Sequence, residues 1–96
     1  MKGTTIVQKY ITNLLLYQGR KFDIRTYLLC IIIEGVCKFY WYSQGYIRTC
    51  SQGFNLKELD NMIHLTNDAV QSQGQQYGKF EKGNKISYAQ LQRYLS

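Results

Sequence analysis

Ninety-six residues without a proline give room for one small domain and no linker between two. A chain of this length buries only roughly 60 to 65% of its unfolded surface, so its stability is marginal without neighbours. Twelve lysines and arginines against six acidic residues give a net charge of +6, which favours acidic partners without choosing among an acidic peptide, ATP, nucleic acid and an anionic membrane surface.

In chain order, the first alternating stretch, about Thr5 to Ile11, predicts a strand, and Gln18-Gly19 predicts a turn after it. From about Lys21 to Ile33 the pattern predicts one long strand. Alternation puts Lys21, Asp23 and Arg25 on one face and Phe22 and Ile24 on the other, while the continuation from Thr26 to Ile33 reads as buried on both faces. Glu34-Gly35 breaks that run. A third strand from about Cys37 to Tyr42 and a fourth from Tyr46 to Thr49 are expected to pair across Ser43-Gln44-Gly45, a glycine-bearing hairpin loop, so that most of the sheet is antiparallel. Tyr46 and Arg48 share a face, which directs Arg48 towards the Lys21, Asp23, Arg25 row if the strands are neighbours.

Beyond Cys50 the periodicity weakens to a short helix from Asn55 to Asn61 and a polar loop from Gln71 to Gln76. Order returns at Ser87-Tyr88-Ala89-Gln90, a capping-box pattern, with Tyr88, Leu91 and Leu95 at helical spacing. The expected fold class is therefore α+β, mainly antiparallel sheet with a C-terminal helix. Cys30, Cys37 and Cys50 form no C-x-x-C pair and are odd in number, which indicates reduced, buried thiols and neither a zinc site nor a disulfide framework.

Two cations flanking one carboxylate on a strand suit a ligand that carries both phosphates and hydroxyls, such as a nucleotide. Lysine acts as a point charge, arginine as a planar fork and aspartate as a hydroxyl acceptor. By itself the same hexapeptide equally describes an exposed strand with self-neutralising charges, and Arg48 an exposed hairpin arginine. His64, the only histidine, read in isolation is more often structural than a base, and Gln8 and Lys9 are ordinary polar strand residues. Phe39-Tyr40-Trp41-Tyr42 lacks the glycine and basic pattern of an RNA-recognition strand, and no helix-turn-helix or zinc-finger spacing occurs, which argues against nucleic acid. The longest apolar run, Tyr27 to Ile33, falls far short of the ~20 residues that span a bilayer, and Met1-Lys2-Gly3 does not open a signal peptide. A cytoplasmic protein without a membrane partner is expected.

Three segments taken together, IVQKYITNLLLYQGRKFDIRTYLL, YWYSQGYIRTCS and MIHLTNDAVQ, with the tail YGKFEKGN, resemble the tubulin tyrosine ligase-like family in order and wording over most of the chain. The resemblance implies an ATP-grasp ligase that activates a carboxylate as an acyl phosphate and joins it to an amino acid through an amide bond. It further implies that residues 1–96 are a partial domain of this kind. The family's upstream phosphate-binding lysine and its downstream aspartate and Glu-x-Asn motif for magnesium are not in this sequence. Carried over by position, Gln8, Lys9, Tyr10 and Ile11 match the segment lining the adenine, Lys21 a nucleotide-contacting lysine, and Asp23 the ribose-hydroxyl acceptor. Arg25 and Arg48 match the catalytic arginines near the transferred phosphate and the acceptor carboxylate, and His64, Thr66 and Asn67 the loop bordering that site. The family's Asn-Pro-Leu-Leu reads Asn13-Leu14-Leu15-Leu16 here, without its proline-fixed turn.

The implied cofactors are ATP and magnesium, the latter with no ligand from this chain. The implied partners are the acidic C-terminal tail of tubulin and an amino acid, which is tyrosine, glutamate or glycine within the family. The implied setting is the cytoplasm, in association with the cytoskeleton or a cilium. Two functions follow as alternatives: ATP-dependent ligation of an amino acid to tubulin, or a non-catalytic remnant that binds nucleotide or acidic tubulin tails.

Overall fold

The computed structural model describes residues 3–96; Met1 and Lys2, which open the stretch read above for a signal peptide, lie outside the described residues. The chain is α+β, with two antiparallel sheets and a C-terminal helix. Strand β1 (Phe22–Arg25) pairs with β4 (Tyr46–Thr49), which pairs in turn with the two-residue β5 (Lys85–Ile86). Strands β2 (Leu28–Ile33) and β3 (Val36–Trp41) form a separate two-stranded ribbon. Short helices α1 (Asn61–His64) and α2 (Asp68–Gln71) follow β4, and α3 (Tyr88–Leu95) closes the chain.

The predicted long strand from Lys21 to Ile33 is thus two strands in two sheets. The chain leaves β4 after Arg25, whose partner is Tyr46, and from Leu28 pairs with Trp41 instead. Helix α3 helps to set this boundary: the Tyr88 hydroxyl donates to the Arg25 carbonyl at 2.5 Å. Gly45 lies beneath that contact, where a Cβ would overlap the Tyr88 hydroxyl and the Arg25 carbonyl. Ser43-Gln44-Gly45 is accordingly a crossover between sheets and not the expected hairpin loop. The hairpin of the ribbon turns instead at Glu34-Gly35, where φ of 51° and 77° suits the right-handed twist of two paired strands.

Two further expectations are corrected. No strand forms between Thr5 and Ile11, because none of the five strands pairs with it, and Ile6, Val7 and Ile11 stay exposed. The helix expected at Asn55 to Asn61 lies later, at α1, where the Asp60 carboxylate accepts from the Met62 N–H at 2.9 Å and caps its start. Helix α3 carries the capping box as read: the Gln90 N–H donates to Ser87 Oγ at 3.1 Å and the Ser87 N–H to Gln90 Oε1 at 2.9 Å.

The hydrophobic core is small, made of Tyr17, Ile47, Ile86 and Leu91 with Phe22 and Tyr88 against it. Gln18-Gly19 forms the expected turn, with positive φ at both residues and a reciprocal backbone bridge between Tyr17 and Arg20. The ribbon is not buried on both faces; Leu28, Leu29, Ile32, Ile33, Val36, Phe39, Tyr40 and Trp41 are all more than half exposed. Cys30 and Cys37 are exposed with it, against expectation, and Cys50 alone is buried.

Candidate functional site

Lys21 precedes β1, and alternation along the strand puts Asp23 on the same sheet face as Lys21. Asp23 lies directly opposite Arg48 in the register. The Arg48 guanidinium spans both carboxylate oxygens, Nε to Oδ1 at 2.8 Å and Nη2 to Oδ2 at 2.5 Å, and Thr66 Oγ1 donates to Oδ2 at 2.8 Å. Partial burial alone would raise the Asp23 carboxyl, but the hydrogen bonds from Arg48 and Thr66, with the charges of Arg48 and Lys21, outweigh it and hold the carboxyl below its usual range. The same carboxylate raises the Arg48 guanidinium.

Lys21 Nζ donates to the His64 carbonyl at 2.8 Å and sits 4.8 Å from the centre of the Tyr10 ring. His64 Nε2 meets the Glu58 carbonyl at 2.7 Å, and a carbonyl only accepts, so Nε2 carries the proton. In the neutral ring Nδ1 is then the acceptor, and the Tyr10 hydroxyl donates to it at 2.6 Å. Tyr10 and Phe54 both stand edge-to-face against the imidazole. Gln8, Lys9, Tyr10, Ile11, Leu14 and Lys21 together line an open cleft of about 430 Å³. The absent proline-fixed turn at Leu14 has not removed this wall, since Leu14 itself lines the cleft.

The structure therefore joins Lys21, Asp23, Arg48, His64 and Thr66 in one contiguous cluster and sets Gln8 to Ile11 beside it through Tyr10. It does not bring in Arg25 and Asn67. Arg25 ends β1 on the exposed side, its guanidinium 5.3 Å above the Tyr27 ring. Asn67 begins α2, its carbonyl accepting from the Val70 and Gln71 N–H groups, and its side chain makes no cap.

Behind the cluster lies a buried polar network that the sequence reading missed. Arg20 pairs with Glu81 through two hydrogen bonds of 3.0 and 2.5 Å, and Thr49 Oγ1 also donates to that carboxylate. Asn84 Nδ2 donates to the Thr49 carbonyl at 3.0 Å. Gln71, 1% exposed, bridges Ser51 and the loop that carries His64 and Thr66. Apart from Thr49, which ends the expected fourth strand, their polar, loop-like sequence context gave no periodic signal, and Asn84 has a positive φ.

The cleft and the adjoining Asp23 offer groups of the kinds that ATP would need. Exposed backbone along Gln8 to Ile11 offers groups to read a base edge, Lys21 offers a cation for phosphate, and Asp23 an acceptor for a hydroxyl. The donor set does not fit magnesium: Asp23, Asp68 and Glu81 each already accept from Arg48, Lys85 and Arg20 respectively. Among the described residues, no helix is long and apolar enough to cross a membrane.

The family model described as the tubulin-tyrosine ligase family matches residues 1–96. The chain is 40% identical to a probable alpha-tubulin polyglutamylase of Tetrahymena thermophila over 99% of its own length and 23% of that relative's. It is 38% identical to tubulin glycylase 3B of Drosophila melanogaster over 94% of its length and 12% of the relative's. A tubulin monoglycylase of Mus musculus is 44% identical over 72% of this chain and 7% of the relative. The chain thus spans less than a quarter of the length of each of these three relatives.

Proposed function

The chain belongs to the tubulin-tyrosine ligase family, and from that premise we propose that it forms the nucleotide-facing wall of an ATP-dependent ligase that joins an amino acid to tubulin. The observation that carries this reading is the convergence of Gln8 to Ile11 and Lys21 on one cleft, with Asp23, Arg48 and Thr66 fixed beside it. An α+β arrangement of antiparallel sheets with a terminal helix also accords with part of an ATP-grasp-like domain. Bound in the cleft, ATP would supply the phosphoryl group that activates a carboxylate for amide formation.

This chain's own residues would bind and orient. The backbone of Gln8 to Ile11 reads the base, Lys21 neutralises phosphate, and Asp23 accepts a ribose hydroxyl. Arg48, held by Asp23, presents a fixed cation at the far side, and His64 ties the Tyr10 wall to the loop that supplies Thr66. The acceptor would be the acidic tail of tubulin, attracted by the net charge of +6, in the setting of the cytoskeleton. Arg25, exposed at the end of β1 and outside the cluster, would be free to meet that tail or the amino acid.

A second reading, nucleotide or tail binding without ligation, is favoured by one observation: Asp23, Asp68 and Glu81 are already paired with cations. Two measurements separate these. Calorimetric titration of the chain with ATP is expected to show binding that Asp23→Ala weakens by about 1 to 3 kcal/mol, the range for losing a charge-assisted hydrogen bond; unchanged affinity sinks the nucleotide assignment. Incubating the chain with ATP, magnesium, tubulin and labelled tyrosine, glutamate or glycine is expected to give no incorporation by these residues alone, and label above a no-ATP control would refute the binding-only reading.

A further inference from the structure

Gln71 is the most heavily engaged side chain outside the cleft. Its carbonyl oxygen accepts from the Ser51 N–H at 3.0 Å, the Ser51 hydroxyl at 2.7 Å and Asn84 Nδ2 at 3.3 Å. Its amide nitrogen donates to the Leu65 carbonyl at 2.6 Å and the Met62 carbonyl at 3.3 Å. The orientation is chemically determined, since a backbone N–H only donates and a backbone carbonyl only accepts. A primary amide has two donors and one oxygen with two lone pairs, and here every one is used. Leu65 is the residue between His64, whose carbonyl takes Lys21, and Thr66, which donates to Asp23.

We propose that Gln71 is a positioning residue for the hydroxyl-reading end of the nucleotide cleft: through the Leu65 carbonyl it holds Thr66 against Asp23. This rests on the reading of the cleft as a nucleotide site. Arg48 spans both oxygens of Asp23 and Thr66 takes a further lone pair of Oδ2, so which lone pairs remain open to a hydroxyl depends on the loop staying in place. Helix α2, one turn long, is held at its start by Asp68, which accepts from Lys85 and the Tyr77 hydroxyl, and at its end by this amide. Gln71→Glu keeps the acceptor facing Ser51 and turns the donor into an acceptor facing the Leu65 carbonyl, which repels the loop at nearly constant volume. Gln71→Asn keeps both groups on a side chain one methylene shorter, which cannot reach Ser51 and Leu65 together.

The test has two arms. In the nucleotide-free chain, the Asp23 carboxyl is followed by carbon-detected NMR as pH is lowered, in the parent and in Gln71→Glu, Gln71→Asn, Thr66→Val and Leu91→Ala. Both Gln71 variants are expected to shift the Asp23 titration upward towards that of Thr66→Val, whereas Leu91→Ala, a core truncation remote from the loop, leaves it in place. In the second arm, affinities for ATP, 2′-deoxy-ATP and GTP are compared. The Gln71 variants are expected to lose about tenfold preference for ATP over its 2′-deoxy analogue, the worth of one hydrogen bond, with the ATP over GTP preference retained. An Asp23 titration unchanged in both Gln71 variants, or moved equally by Leu91→Ala, overturns the positioning role. Failure of the parent chain to bind any nucleotide overturns the nucleotide reading and the ribose assignment with it, while the Asp23 arm still decides whether Gln71 sets Thr66.

Discussion

At the scale of single residues, the charge row was legible and its occupant was not. Strand alternation is enough to group Lys21, Asp23 and Arg25 on one sheet face, and the register of β1 with β4 then sets Asp23 opposite Arg48. The sequence suggested an external ligand for the row; the chain fills much of it with its own Arg48, Thr66 and His64 carbonyl. That pairing has a measurable sign. A carboxyl held below its ordinary value of 3.8 contributes stability in full above that value and loses it as pH falls through the lower native value. Stability of the chain is therefore expected to fall more steeply below about pH 4 than that of Asp23→Asn, and parallel acid-unfolding curves for the two would refute the linkage. The cysteines give a second residue-level test. Burial pushes the Cys50 thiol up to about 11, whereas Cys30 and Cys37 are open to solvent. Thiol titration at neutral pH should show two fast groups and one that reacts only on unfolding; three fast groups would place Cys50 at the surface.

At the scale of elements, the turn at Gln18-Gly19, the break at Glu34-Gly35, strand β4 and the capped α3 could be read directly, since each has a local chemical cause. The break after Arg25 could not. No glycine or proline marks it, and it depends on Gly45 and Tyr88, residues far away in the chain that meet only after folding. Strand β5 and the Arg20–Glu81 tie are long-range in the same way, and local pattern carries no trace of them. The tie fastens the lead into β1 to the turn before β5, with both side chains almost out of solvent. Glu81→Gln is expected to destabilise the chain by about 3 to 5 kcal/mol, because a buried guanidinium is left without its counter-charge. Denaturant melts within 1 kcal/mol of each other, on the scale of an exposed pair, would show that water reaches the site. Gly45→Ala should likewise disconnect α3 from the sheet, read as loss of Tyr88 hydroxyl protection without loss of helix α3 signal.

At the scale of the molecule, the radius of gyration of 16.6 Å exceeds the roughly 12 Å expected of a compact chain this long. The accessible surface of 7641 Å² likewise exceeds the roughly 5,700 Å² expected for 11.3 kDa. The excess has visible sources: the exposed segment before Tyr17 and the apolar ribbon. By register and alternation, one face of the ribbon carries Leu28, Cys30 and Ile32 beside Cys37, Phe39 and Trp41, without a single charge. The isolated chain should therefore associate with itself as concentration rises, and Phe39→Lys should suppress this in sedimentation runs while leaving ATP titration unchanged; equal association of both forms would exonerate the ribbon. The ribbon also enters and leaves at one place, for the Tyr42 N–H closes on the Tyr27 carbonyl at 3.0 Å. Two strands so gathered at their base behave as a cassette. Residues 28–41 can be exchanged, lengthened or trimmed as a unit while β1 and β4, a few residues away on either side, keep the register that puts Arg48 opposite Asp23, so outer surface and inner chemistry are free to diverge at separate rates.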